Sequence, residues 1–321
     1  MERARDRPGV RLRRRGGGAP GLSGRGWAAF AAMSLIWGVP YLFIKVAVDD
    51  GVSPVFLSFV RVALGAALLL ALAWRAGALP QLRGRWGWIA VYAVIEITLP
   101  FPLIAAGEQH VSSSLTAILI ASVPLIVAVL AIRFDPAERA TGVRLLGLLI
   151  GFGGVIALVG IDVAGDADEL LGAVLILLAS CGYAAAPMIL KRKFPDVDGR
   201  ASMGLTLLIA TALLAIPAAF SVPSEIPTGE ALASLAILGL VCTALALVVF
   251  SVLIVEVGPG RALVITYINP VVAVALGIVV LGEHLGAGAV AGLLLILAGS
   301  WLSTDGRLPP GLRRRPAVAA G

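Results

Sequence analysis

Three ionisable side chains, Lys45, Arg61 and Glu96, lie inside long apolar runs of the sequence. On insertion scales a charge at the centre of a membrane helix costs roughly 2.5–3.5 kcal/mol, so such residues mark a pathway, a binding site or a buried partner. Glu96 sits in IAVYAVIEITLPFPL, with Tyr92 one turn before it and Pro100 one turn after. In an unbroken helix Tyr92, Glu96, Pro100 and Leu103 share one face, and Pro100 leaves the carbonyl of Glu96 without its usual donor. Facing a cavity, this carboxyl would carry a proton or meet a cationic group of a ligand. Facing a neighbouring helix, it would be a protonated group held by a hydrogen bond. Arg61 has no acid in its own segment and calls for Glu96 or a ligand carboxylate. Lys45 is suited to pair with Asp49 one turn on, or to reach the membrane surface along its own stem.

Uncharged polar groups cluster beside prolines. Thr266, Tyr267 and Asn269 precede Pro270, and Trp37, Gly38, Pro40 and Tyr41 stand together in the first apolar run. These groups suit a polar metabolite, and helix packing explains them as well. Pro124 and Pro270 free the carbonyls of Ile120 and Thr266, and such broken backbone is tolerated at membrane depth where it faces protein or water. Pro40 predicts a kink and Gly38 a close helix approach, so Gly38, Pro40, Pro124 and Pro270 are the candidate hinges.

Other chemistries lack their parts. The sequence has no H-E-x-x-H, G-x-S-x-G or G-x-x-x-x-G-K-[ST] pattern, so neither hydrolytic catalysis nor a nucleotide site is expected. His110 and His284 have no second ligand at helical spacing, so no metal is expected, and nothing calls for a cofactor. Cys181 and Cys242 form no C-x-x-C and read as small core residues. The basic tails lack aromatic interleaving, which argues against a nucleic-acid partner.

What must position these residues is a membrane protein. Of the 321 residues 59% are hydrophobic and 14% charged, with a mean hydropathy of +0.99. Ten apolar segments have the length of spans: 27–48, 54–74, 86–106, 111–132, 145–161, 170–190, 203–221, 231–255, 262–281 and 286–303. Each must satisfy its own backbone, so the expected class is an all-α membrane protein, with no alternating strands of a barrel. With the N-terminus inside, 23 of the 25 basic residues fall on cytoplasmic loops and tails, all except Lys45 and Arg61. The positive-inside rule then places both termini in the cytoplasm, with the protein in the plasma membrane.

The chain also repeats itself. Pro124 and Pro270 are 146 positions apart, and the same offset takes Trp37 to Tyr183 and Lys45 to Lys191. Glu138 and Glu283 follow the two prolines, and then come Gly147 and Gly154 in one copy and Gly292 and Gly299 in the other. Two halves of five helices each, an odd number, must be inverted relative to one another. The expected organisation is a basic tail over 1–26, repeats over 27–161 and 167–303, and a second tail over 304–321. Gly147 with Gly151, and Gly288 with Gly292, make small faces for packing inside the protein, or alternatively for a homodimer. Glu138 and Glu283 are expected to cap the helices that follow them, and Glu108, Gln109 and His110 fall in a short outer loop.

The pairing of Trp37-Gly38 with Lys45 eight residues after the Trp resembles the EamA-type proteins of the drug/metabolite transporter superfamily. So do Pro54 with Arg61, and the two prolines followed by an acid and spaced glycines. The resemblance implies helices 1–4 and 6–9 around a central cavity, helices 5 and 10 at the periphery, and transport of small metabolites, often amino acids or related compounds. Together with the residues above, it gives Trp37, Tyr41, Arg61, Tyr92, Glu96, Thr266, Tyr267 and Asn269 as the expected cavity lining. The partners expected are a small-molecule substrate and membrane lipids. Alternating access, efflux and proton coupling complete the expectation, with a lipid flippase of the same fold as the alternative.

Overall fold

The computed structural model describes residues 24–75, 86–134, 140–193, 199–257 and 265–305. Most of both tails, Glu138 and several of the basic loops lie outside the described residues. Among the described residues the protein is helical without strands. The helices are α1 (Gly24–Asp49), α2 (Pro54–Arg75), α3 (Trp86–Gly107), α4 (Ser113–Phe134), α5 (Val143–Val163), α6 (Ala167–Lys193), α7 (Gly199–Ala219), α8 (Gly229–Glu256), α9 (Ile265–Leu281) and α10 (Ala287–Asp305). The first eight are long and apolar enough to cross a membrane, and Ile265–Leu281 and Ala287–Ser303 are shorter apolar helices. Leu149, Ile156, Val279 and Leu294 are mostly exposed, which water would not tolerate and acyl chains would. This is an all-α, multi-pass membrane protein.

Short turns join one end of the bundle into a layer. Gly51, at φ +86°, ends α1 in a left-handed cap in which Val52 donates to Ala47 O and Gly51 to Val48 O. Ser53 Oγ then donates to Ser221 O, and Asp50 accepts from the amide of Thr228. Lys45 Nζ donates to the backbone carbonyl of Glu108 at 2.9 Å and pairs with Asp49 at 2.9 Å, as its spacing predicted. The other end carries Arg75, Arg133, Arg144, Arg192 and Lys193. There Trp27, Trp74, Trp86 and Trp88 are exposed, the belt expected where helices meet a headgroup layer.

Two carboxylates act as helix caps at the turn end, in a pattern different from the expected one. Glu283 does not cap α10, the helix that follows it. Gly282, at φ +67°, turns the chain back so that Glu283 accepts from the amides of Ser113 and Ser114, at 2.7 and 3.0 Å. It therefore caps α4. The N-terminus of α10 is capped instead by Asp162, which accepts from Gly288 and Ala289. The glycine faces predicted on α5 and α10 meet each other. A Cβ on Gly154 would fall 2.9 Å from the backbone nitrogen of Ile296, and one on Gly292 would fall 3.0 Å from Gly154 O.

Irregular turns interrupt several of the long helices, and α8 carries the longest, a π segment over Ile237–Leu245. α1 breaks into Gly24–Ile36 and Pro40–Asp49, so the chain bends before Pro40, which opens the second piece at a position where its missing N–H costs nothing. α4 breaks at Ala121 and Ser122, two residues ahead of Pro124. α3 carries a π turn over Val94–Thr98, closed by Leu99 N donating to Val94 O. α9 runs through Pro270 as a continuous helix.

Candidate functional site

A cavity of about 370 Å³ lies among α1, α2, α3, α4, α6, α7, α8 and α9, with no described residue of α5 or α10 in its wall. Its wall runs from Ile44 and Ile104, near the turn end, to Met203 and Thr266 in the first turns of α7 and α9. The chamber thus reaches through much of the depth of the bundle. Mostly apolar walls with a few polar groups are the usual character of a small-ligand site.

Six of the eight expected lining residues share this wall: Trp37, Tyr41, Arg61, Glu96, Thr266 and Asn269. Tyr92 and Tyr267 are elsewhere. The π turn in α3 adds a residue to one turn and rotates the helix beyond it, so of the expected face Tyr92, Glu96, Pro100 and Leu103 only Glu96 reaches the wall. Glu96, Ile97, Phe101 and Ile104 line the cavity while Tyr92 is buried away from it. Tyr267 points toward α10, where its hydroxyl donates to Ser300 O at 3.4 Å. Among the hinge candidates, Pro40, Pro124 and Pro270 reach the cavity, and Gly38 stands behind it against Val272.

Arg61 does not pair with Glu96. Its Nε donates to Thr243 Oγ1 at 3.1 Å, and its guanidinium lies over the Phe101 ring at 4.1 Å from the centroid. Among the described residues no carboxylate stands within ion-pair distance of it. Thr243 is itself held, donating to Leu238 O across the π segment of α8. One edge of the guanidinium is therefore fixed by protein, and its other donors remain for something in the cavity. Glu96 contributes the opposite charge type, and its Oε2 has no hydrogen-bond partner.

Asn269 ties the α1 break to α9. With the amide oriented to satisfy its neighbours, its nitrogen donates to Ile265 O at 2.9 Å and to Ser34 O at 3.2 Å. Trp37 packs against Phe250 of α8, with the ring centroids 4.9 Å apart and the planes tilted by 42°. The aromatic and amide groups of the wall are thus braced from behind.

The profile of the EamA-like transporter family matches the chain twice, over residues 24–160 and 170–304. The chain belongs to the EamA-like transporter family. YoaV of Bacillus subtilis, described as an uncharacterized transporter, is 24% identical over 85% of this chain and 94% of its own length. YedA of Escherichia coli K12, described as an uncharacterized inner membrane transporter, is 29% identical over 81% of this chain and 84% of its own. A solved crystal structure shares the fold, with a TM-score of 0.63 at 20% identity, covering 88% of this chain and 98% of that one. The protein is a membrane transporter of this family, and the names of its relatives agree with a function other than catalysis.

Four residues of this EamA-like protein escaped the sequence reading. Phe101 and Thr243 fix Arg61, and neither stands out in an apolar run. Tyr183 lines the cavity, and its only sequence signal was its repeat offset from Trp37. Glu108, expected in a short outer loop, is wholly buried at 0% exposure, and neither of its carboxyl oxygens has a partner.

Proposed function

We propose that this protein exports a small polar metabolite bearing a carboxylate, an amino acid or a related compound, by alternating access. The observation that carries this is Arg61, oriented from behind by Thr243 and Phe101, with donors left over and, among the described residues, no carboxylate paired with it. A planar guanidinium with free edges matches a carboxylate in two parallel hydrogen bonds. Glu96, on the same wall, supplies an acceptor for an ammonium group, which makes a zwitterion the best-matched substrate. In this reading the ten helices are ten spans in two inverted five-helix repeats, with both termini cytoplasmic. The turn end is then extracellular. Movement centres on the interruptions beside Pro40 and Pro124 and on Pro270. Without a nucleotide loop, a proton gradient is the energy source proposed.

The test is thermal stabilisation of the purified transporter by a panel of amino acids, their decarboxylated amines, plain carboxylates and lipids. Counterflow in proteoliposomes, with and without a pH gradient, follows for whatever binds. The reading expects stabilisation by compounds that carry a carboxylate and loss of it in Arg61→Ala. Stabilisation by lipid headgroups alone would turn the assignment to a flippase. Counterflow rates that ignore the gradient would remove proton coupling.

A further inference from the structure

The turn end contains a buried acid that the transport site does not use. Glu108 is fully enclosed, both its carboxyl oxygens lack partners, and Ser113 Oγ, in the first turn of α4, lacks one as well. It sits one turn beyond Ile104, the last cavity residue of α3, as Lys45 sits next to Ile44 of α1. Any route from the outer solution to the cavity along this side passes through this layer.

The charges around Glu108 come from several elements. α1 presents Tyr41, Lys45 and Asp49, α2 presents Arg61, and the turn after α9 presents Glu283. His110 belongs to the same turn as Glu108, and α6 brings Gly172 and Ile176 against Gly107, neither of them titratable. Lys45 is the near cation, and it is already engaged by Asp49 and by the backbone carbonyl of Glu108. Glu283 is committed to the first turn of α4. An ionised Glu108 would be enclosed with no donor, beside two other carboxylates, which an interior does not sustain. The neutral acid fits the closed layer. An ionised one needs water, and water reaches it only if the layer parts.

We propose that Glu108 is the proton-binding carboxyl of an outer gate: with the proton on, the layer of Lys45, Glu108, Ser113 and Glu283 stays shut, and with the proton off it opens the cavity outward. The inference rests on the alternating-access reading and adds the site at which the proton acts. In an export cycle the substrate leaves outward, one proton from outside binds Glu108, and the gate closes over the empty cavity. Substrate entering from the cytoplasm brings water to the cavity side of the layer, the proton leaves Glu108 through it, and the ionised carboxylate then parts the layer outward.

Cys242 reports on the gate, because it lies in the cavity wall and packs in one cluster with Ile44 and Ile104, the cavity residues below the layer, while Cys181 is exposed elsewhere. In a Cys181→Ala background, right-side-out vesicles are treated with a membrane-impermeant methanethiosulfonate. Each rate is divided by that of the Glu108→Gln protein at the same pH, which cancels the thiol's own titration. The normalised rate should rise about tenfold between about pH 5.5 and about pH 8.5, the change that one pKa unit of coupling produces. Glu108→Asp should keep the step, and so guards against a Gln variant that merely misfolds. A flat profile in the protein with its natural Glu108, or an unnormalised profile of Glu108→Gln that parallels it, would overturn the gate. Cys242 unreactive from either face at every pH would instead remove the cavity reading beneath it.

Discussion

Arg61 of α2 gives its Nε proton to Thr243 of α8 at 3.1 Å. A cation in the wall of a membrane cavity is thereby held by a neutral group, which orients it without neutralising it. Thr243→Val keeps the branched shape and removes the acceptor, so the guanidinium loses its fixed edge. Substrate affinity should fall about tenfold, near 1.4 kcal/mol, for the loss of one hydrogen bond to a charged group. Arg61→Lys should lose more, since an ammonium reproduces neither the stack on Phe101 nor a bidentate grip. Titration of ligand-induced stabilisation on each variant measures both effects.

Glu96 has a different signature. If it meets the ammonium of a zwitterion, Glu96→Gln should weaken amino-acid binding by about tenfold or more while leaving binding of plain carboxylates within about twofold, since a charge-assisted bond is roughly twice as strong as a neutral one. Its Oε2 has no protein partner, so the substitution breaks no hydrogen bond at that oxygen and the variant should fold normally. Equal losses for both ligand types would mean that Glu96 shapes the cavity without contacting the ammonium.

How much of this was legible beforehand depends on what each residue's neighbours in sequence reveal. The ten apolar segments, the Lys45–Asp49 pair and the interruptions near Pro40 and Pro124 follow from local composition and spacing, and the helices carry them. The cavity face of α3 beyond Glu96 runs through Ile97, Phe101 and Ile104 and not through Pro100 and Leu103, because period-3.6 reasoning has no term for a π turn and one extra residue at Val94–Thr98 rotates the rest of α3. Glu283 was matched to the wrong helix for a related reason. Caps are usually local, and nothing in the sequence shows that Gly282 folds the chain back onto α4 of the other half. Glu108 looked like a loop acid until helices far away in sequence closed over it. Tertiary enclosure is what a single sequence leaves out.

The Glu283 cap makes its own prediction. Two amides and the Ser114 hydroxyl share one carboxylate. Glu283→Ala should cost about 2 kcal/mol, the upper end for caps and helix-terminus charges. Glu283→Gln, which keeps one acceptor, should cost about half as much. Gly277→Ala should mimic the loss with the carboxylate intact, because a Cβ there would strike both the Glu283 carboxylate and Ser114 Oγ. Thermal midpoints in detergent rank the three variants. A Gly277→Ala protein as stable as its parent would mean that α9 and α4 have more room than this geometry allows.

Neighbouring glycines on α5 separate packing from helix propensity. Gly154 faces α10, where a Cβ would meet Leu295 Cβ at 2.8 Å and the backbone nitrogen of Ile296 at 2.9 Å, and backbone cannot swing aside as a side chain can. Gly153 points away, with nothing within 4 Å of the same added atom. Both substitutions to Ala gain the same helix propensity, about 0.5–1 kcal/mol. Only Gly154→Ala must push two helices apart, at about 1–3 kcal/mol for an overpacked site. Gly154→Ala should therefore lower the thermal midpoint while Gly153→Ala leaves it level or raises it. If both fell together, the cost would lie in α5 itself, and the α5–α10 contact would not be what the glycine stripe secures.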